Sequence, residues 1–192
     1  MAGKILGIDP GSRTTGYAIL VEDQGKFSAE ICDVFRMDKM EDHNERLQFI
    51  FDKVTELVKK HKPDQCAVET PVYGVDPLAM LKLGRAQAAA ILAITNLNVP
   101  VAEYYPKAVK KAITGNGNAS KKQVAFMLSK LITLPDTKLT DDATDALAVA
   151  WCHHTNMGPG NAQTHKKKTH QNNRKSSWAA FVKDNPERVK KN

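Results

Sequence analysis

The chain has 192 residues, of which 42% are hydrophobic and 26% are charged, a composition typical of a soluble globular protein with one sizeable core. Its uninterrupted apolar runs are shorter than the roughly 20 residues that cross a bilayer, so we expect a cytoplasmic protein without a membrane partner. The three cysteines are widely spaced and form no C-x-x-C pair, which argues against a disulfide framework or a zinc site.

The formal net charge of +7 is unevenly distributed along the chain. Residues 1–156 contain 19 basic and 19 acidic side chains, whereas residues 157–192 contain 9 basic and 2 acidic ones. The second region also lacks any regular spacing of apolar residues. We therefore predict one compact domain over 1–156 and a disordered basic tail over 157–192. Within the tail, Trp178, Phe181 and Val182 are either one docking turn of helix or incidental apolar positions.

Three predicted strands with short connections open the chain. They cover residues 4–9, residues 15–22 after the turn at Pro10-Gly11-Ser12, and residues 27–36 after Asp23-Gln24-Gly25. Connections of this length join neighbouring antiparallel strands. The sequence therefore predicts a three-stranded antiparallel meander.

The rest of the chain alternates between helices and strands. Residues 45–60 carry apolar side chains at helical spacing, and Pro63 ends this helix before the apolar strand 66–69, which we expect to lie parallel to the first strand. The later elements are a helix near 77–95, a strand near 99–104, helices opened by Pro106 and Ser120, and a last helix from Thr140 to about His154. This order predicts an α/β fold, a mixed five-stranded sheet with helices on both faces.

Acidic residues follow two of the predicted strands and open the last helix. Asp9 and Glu69 end the first and fourth strands, and parallel neighbours would bring their carboxyl ends to one edge, where open α/β sheets bind ligands. Asp142 and Asp145 share one face of the last helix, with Asp141 nearby. Converging carboxylates ionise at low cost only with cations between them, so the cluster predicts Mg²⁺ or Mn²⁺. Two such ions would activate water for phosphodiester hydrolysis.

Each of these carboxylates also has a purely structural explanation. Asp9 precedes Pro-Gly, where aspartate often forms a turn, and acidic residues at a helix start favourably meet the helix dipole. Glu69 is the hardest to explain in this way. It directly follows an apolar run that reads as buried, where an unpaired glutamate is costly.

Five segments together resemble the RuvC family of crossover junction endodeoxyribonucleases, which have a ribonuclease H-like fold. The segments are ILGIDPGSRTTGYAIL, AVET, MLKLGRAQ, TGNGNASKKQV and DDATDALAVA, and the resemblance covers roughly residues 4–155. It implies a homodimer that resolves four-way (Holliday) junctions in recombination and repair by paired symmetric nicks, leaving 5′-phosphate ends. It also implies two Mg²⁺ ions per site, with Mn²⁺ able to substitute, and a branch-migration complex of the RuvA and RuvB type as partner.

The resemblance assigns the metal-binding and catalytic positions to Asp9, Glu69, Asp142 and Asp145. Asp141 is a rival for the third place because it lies four residues before Asp145. The match of DATDAL to the family's helix motif favours Asp142.

Basic side chains near these positions are candidates for DNA contact. Lys121 matches a basic residue that the family holds near its active site, where it would act as a catalytic residue by stabilising charge on the scissile phosphate. We expect Lys110, Lys122 and Arg13 to contact the DNA backbone, although each is equally compatible with a solvated surface. We also expect the glycines around Asp9 to keep the turn slim enough for a DNA backbone to approach.

One position departs from the family pattern. Family members commonly carry an aromatic residue three positions after the glutamate, in a loop that probes the junction centre, whereas this chain has Val72 there and Tyr73 next. We expect Tyr73 to stack on an unpaired base in its place. The alternative is that Tyr73 is a half-buried loop residue.

Three other functions fit parts of this sequence. An actin-like or sugar-kinase-like ATPase shares a G-x-D-x-G loop but needs a second phosphate loop, which this sequence lacks. A ribosomal-RNA processing nuclease of the same fold shares the first aspartate, but the SKKQV and DATDALAVA segments favour the junction enzyme. A non-catalytic nucleic-acid-binding module would gain nothing from clustered carboxylates that repel a phosphate backbone.

Overall fold

The computed structural model describes residues 3–72, 74 and 76–157. Its elements follow one another in the predicted order, with ends that differ from the prediction by one or two residues. They are β1 (Gly3–Asp9), β2 (Thr14–Asp23), β3 (Lys26–Arg36), α1 (His43–His61), β4 (Gln65–Glu69), α2 (Pro77–Thr95), β5 (Val101–Tyr104), α3 (Pro106–Thr114), α4 (Lys121–Leu131) and α5 (Asp141–Asn156). The predicted tail, including Trp178, Phe181 and Val182, lies outside the described residues, so the domain boundary stays a prediction.

The five strands form one mixed sheet in the order β3-β2-β1-β4-β5. β1, β2 and β3 pair antiparallel, whereas β4 is parallel to β1 and β5 is parallel to β4. The predicted meander and the predicted parallel pair are therefore both confirmed. β1, β4 and β5 end at the same side of the sheet, which we call the carboxyl edge.

Helices cover both faces of the sheet, as predicted. Side chains of β1 alternate between the two faces, because Ile5 packs in a core formed with α3, α4 and α5, while Leu6 and Ile8 pack in a core formed with α1 and α2. This burial of both faces explains why β1 and β4 are apolar almost throughout. The three cysteines, Cys32, Cys66 and Cys152, are free and buried, as expected.

Side-chain caps fix the starts of the two helices that carry site residues. Ser120 and Gln123 form a capping box at the start of α4, in which each side chain binds the backbone of the other residue. Thr140 accepts a hydrogen bond from the Ala143 amide at the start of α5. Both predicted N-caps are confirmed, and they fix the helical positions of Lys121 and Asp142.

α2 is 19 residues long and apolar enough, by length and composition alone, to cross a membrane. In the folded chain it packs one alanine-rich side against α1 and the parallel strands. Its other side leaves Leu78, Leu81 and Leu92 exposed by 70%, 51% and 60%. Lys82 and Arg85 interrupt the apolar run of this helix, so its sequence lacks the uninterrupted apolar stretch that marks a membrane span.

Candidate metal centre and nucleic-acid interface

The strand register places two of the predicted carboxylates side by side at the carboxyl edge. β1 and β4 pair from Ile5 with Gln65 up to Ile8 with Val68. Asp9 and Glu69 are the next residues and the last of their strands. The parallel pairing thus brings together two carboxylates that are 60 residues apart in the sequence.

Two glycines allow α5 to lie directly on β1 and β2. A Cβ at Gly16 would overlap the backbone carbonyl oxygen of Asp142, and a Cβ at Gly7 would overlap that of Ala146. Since Gly16 pairs with Asp9 in the sheet, this close approach places the start of α5 against the end of β1. The expectation that these glycines slim the turn is therefore wrong for Gly7 and Gly16, which serve helix packing.

Three aspartates form a compact group of possible metal ligands. One carboxylate oxygen each from Asp9, Asp142 and Asp145 lie within 4.8 Å of one another, and all three residues are half-buried. Asp141 is exposed, so of the two rivals it is Asp142 that helix geometry brings to Asp9. Glu69 lies outside this 4.8 Å group but lines the same cleft as Asp9 and Asp145.

The pKa values of Asp9 and Glu69 are raised above those of ordinary carboxyl groups. Burial, together with the negative charges of Asp145 and Asp142, raises the pKa of Asp9 to about 7. Burial and the charges of Asp9 and Asp145 raise the pKa of Glu69 to about 8. A divalent cation would relieve both the desolvation and the repulsion, and an all-oxygen donor set suits a hard ion. The residues present therefore fit a divalent metal.

A lysine completes the group on the α4 side. The Lys121 ammonium donates to Oδ2 of Asp145 at 2.6 Å, and this bond raises the pKa of Lys121. Lys110 from α3 lines the same cleft, which has a volume of about 250 Å³ and apolar walls that include Val109 and Val124. The cleft thus combines clustered carboxylates that can hold a metal with two cations that can contact a phosphate group.

Of the remaining residues predicted to contact DNA, Arg13 and Lys122 do not line the cleft. Arg13 is exposed in the turn after β1, where its carbonyl accepts a hydrogen bond from the Met37 amide. Lys122 is exposed and lines a different groove from Lys121. Val72 is 54% exposed, and Tyr73 lies outside the described residues.

A part-buried chain of polar side chains, which no sequence pattern predicts, ties α5 to the strands. The Tyr104 hydroxyl lies 2.8 Å from Nδ1 of His153, and Nε2 of His153 lies 2.6 Å from the Gln65 side-chain oxygen. These contacts hold the helix of Asp142 against the strand of Glu69. Its members are 49 and 88 residues apart, so no local spacing could signal it.

Comparison with known proteins gives one consistent family. The family profile described as crossover junction endodeoxyribonuclease RuvC matches residues 5–153. Proteins of that description from Salinibacter ruber and Christiangramia forsetii are 46% and 41% identical, covering 96% and 97% of this chain and 98% and 92% of the relatives. A solved structure described as T. thermophilus RuvC in complex with Holliday junction substrate has a TM-score of 0.76 and 29% identity, covering 83% of this chain and 97% of that chain. From this similarity over nearly its whole length, the chain belongs to the RuvC family.

Proposed function

We propose that this protein is an endonuclease that resolves four-way DNA junctions in homologous recombination and repair, hydrolysing phosphodiester bonds by paired symmetric nicks. The observation that carries the proposal is the convergence of Asp9, Asp142 and Asp145 beside Lys121, in a chain that is similar over its whole length to junction endonucleases. A binding module has no use for such a group, because carboxylates repel a phosphate backbone.

The proposed cofactor is Mg²⁺, with Mn²⁺ able to substitute. Asp9, Glu69, Asp142 and Asp145 would hold the metal, and their oxygen atoms are the donors that both ions prefer. Such ions, when bound, would supply Lewis-acid activation of water and stabilisation of charge on the leaving oxygen. The raised pKa values of Asp9 and Glu69 support the proposal, since a cation offsets the cost of ionising buried carboxylates that lie together.

The other cleft residues have roles that follow from their positions. Lys121 carries a positive charge beside Asp145, so it can stabilise negative charge that develops on the scissile phosphate. Lys110 lines the same cleft and would hold a neighbouring phosphate.

Further contacts to the junction are proposed around the cleft. Lys122 and Arg13 are exposed and free to meet the DNA backbone. Tyr73 follows Val72 in the sequence, and we propose that it stacks on an unpaired base. Stacking of this kind is tolerant of sequence, so it suits recognition of a distorted junction.

We also propose that the active form is a homodimer. Two symmetric nicks in one junction require two active sites related by a twofold axis. The exposed leucines of α2, Leu78, Leu81 and Leu92, offer an apolar surface that a second copy would bury. Membership of the family extends the proposal to a cytoplasmic location and to cooperation with a branch-migration complex of the RuvA and RuvB type.

The test is cleavage of a synthetic four-way junction with a partly mobile centre. Wild type and Asp9→Asn are incubated with the junction and Mg²⁺, and the products are ligated to check for 5′-phosphate ends. We expect paired nicks with wild type, and binding without nicks for the variant. Equal cleavage of linear duplex DNA or of structured RNA would contradict the proposal, and binding without cleavage by wild type would indicate a non-catalytic module.

A further inference from the structure

One exposed face of α4 carries an aromatic ring between two cations. Lys122, Phe126 and Lys130 are spaced four residues apart and so lie on one side of the helix, and we call them the α4 stripe. Phe126 is 61% exposed, and the Lys130 ammonium lies 5.5 Å from its ring centroid. The fold makes no use of this ring as core, so its exposure calls for another explanation.

A groove accompanies the α4 stripe and is distinct from the metal cleft. It lies between the end of α3 and α4, has a volume of about 350 Å³, and is lined by Thr114, Lys122, Gln123, Phe126 and Met127. None of these residues lines the metal cleft. The groove therefore offers one aromatic face, one cation and two polar side chains to a ligand outside the catalytic centre.

The charged side chains of the segment that contains α3 and α4 are all positive. Residues 104–135 contain six lysines and no aspartate or glutamate. Two of these lysines, Lys110 and Lys121, line the metal cleft, and Lys122 follows Lys121 directly. Positive charge therefore continues from the catalytic centre along α4, which is the electrostatic surface that a polyanion follows.

We infer that the α4 stripe binds the DNA strand that flanks the scissile phosphate, with Lys122 and Lys130 on phosphates and the Phe126 ring packed on a sugar or base between them. This inference rests on the proposed junction cleavage. At 1.5 Å per residue, Lys121 and Lys130 are separated by about 13.5 Å along the helix, which matches about four nucleotides at 3.4 Å each. The stripe thus extends recognition about four nucleotides beyond the cut.

The experiment measures affinity of the full-length protein for a four-way junction against salt concentration, in chelator so that no cutting occurs. The slope of log affinity against log salt is negative, and each lost phosphate contact lowers its magnitude by about 0.9. We expect Lys122→Gln/Lys130→Gln to lower it by about 1.8, and Lys122→Arg/Lys130→Arg to restore it. Phe126→Ala should weaken binding about 5- to 100-fold with an unchanged slope, because stacking involves no counterion release.

The matched control is Lys59→Gln/Lys60→Gln, which removes two exposed lysines from the last turn of α1. α1 leads into the start of β4, so these lysines lie at the opposite end of that strand from Glu69, and their slope should equal that of wild type. An unchanged slope for the stripe variant, with wild type still cutting junctions under Mg²⁺, would overturn the inference and the proposed Lys122 contact while leaving the proposed junction cleavage intact. Failure of wild type to cut would instead count against the function.

Discussion

The fold holds the Asp9 carboxyl group half-buried beside other carboxylates, where its ionisation is unfavourable. Burial and two neighbouring aspartates raise its pKa to about 7, and similar causes raise the pKa of Glu69 to about 8. A raised folded-state pKa means that the folded protein binds protons more tightly than the unfolded chain. The protonated Asp9 and Glu69 carboxyl groups stabilise the fold fully below their unfolded pKa values near 4, and this stabilisation is lost as the pH rises through their folded pKa values of about 7 and about 8. The metal-free protein should therefore lose stability as the pH rises from about 4 to about 8.

Asp9→Asn removes one of these buried charges and should stabilise the metal-free protein at high pH. We expect its melting temperature in chelator at pH 8 to exceed that of wild type by roughly 2–8 °C, with a smaller gap at pH 5, because wild-type Asp9 is then protonated and neutral. Thermal melting at both pH values measures this. Cleavage should be lost in the same variant.

Adding Mg²⁺ provides the control for that prediction. A ligand that binds only the folded state raises its stability, so wild type should gain melting temperature with Mg²⁺ while Asp9→Asn gains much less. Lower stability of Asp9→Asn than of wild type in chelator at pH 8 would contradict the assignment of Asp9 as a strained metal ligand.

Lys121 offers a second test at a single side chain. If it stabilises charge on the scissile phosphate, Lys121→Gln should lower kcat about 10²- to 10³-fold, the usual cost of removing one preorganised charge-stabilising group. Junction affinity should fall far less, since one of several phosphate contacts is lost. Single-turnover cleavage at saturating enzyme separates the two effects.

The control for this test is Lys59→Gln, which removes an exposed lysine far from the cleft and should cut at the wild-type rate. A Lys121→Gln variant that cuts at the wild-type rate but binds weakly would show that Lys121 only holds DNA. Lys121 also forms an ion pair with Asp145. Because Lys121→Gln breaks this pair, the metal affinity of the variant should differ from that of wild type, and this difference can be measured.

The packing of α5 on the sheet is what assembles the aspartates, and it depends on Gly16. Gly16→Ala would push a methyl group into the Asp142 carbonyl, and overpacking of this kind costs about 1–3 kcal/mol. We expect the melting temperature to fall by roughly 2–12 °C. Cleavage should fall more steeply than the folded fraction, because displaced α5 carries Asp142 and Asp145 away from Asp9.

Gly3→Ala is the matched control, since a Cβ at Gly3 would have no atom within 4 Å. Its melting temperature and cleavage rate should stay close to those of wild type. Full activity of Gly16→Ala would mean that α5 can shift without disturbing the site, and would contradict the role given to this glycine.

The elements of this fold are predictable because their signals are local. Apolar spacing marks α1, Pro63 marks its end, and the side chains of Ser120 and Thr140 mark the starts of α4 and α5. The carboxyl pair of Asp9 and Glu69 is also predictable, since parallel strands end at one edge.

The contacts between elements are the part that the sequence alone leaves open. Whether Gly16 serves a turn or a helix contact depends on where α5 lies, more than 120 residues along the chain. The choice between Asp141 and Asp142 likewise needs the rotation of α5 about its axis. The exposed leucines of α2 look like core in the sequence, because apolar spacing does not distinguish a core from an interface.

The proposed paired nicking links the active site to the assembly of the whole molecule. One chain carries one group of carboxylates among its described residues, whereas a four-way junction resolved symmetrically is cut at two places. A twofold dimer supplies two such groups facing symmetric strands. Burial in such a dimer would explain why α2 exposes its leucines, since an apolar surface of this kind would favour aggregation of a monomer.

Leu81→Glu tests this assembly, because a twofold interface repeats the change and buries two like charges. We expect a monomer in sedimentation velocity at concentrations where wild type is dimeric, with an unchanged melting profile for the monomeric fold, since Leu81 is 51% exposed within the chain. Junctions should then receive single unpaired nicks at a reduced rate. Leu131→Glu, an exposed leucine of α4, should remain dimeric. A dimer of wild-type stability for Leu81→Glu would exclude α2 as the interface and leave its exposed leucines to another partner.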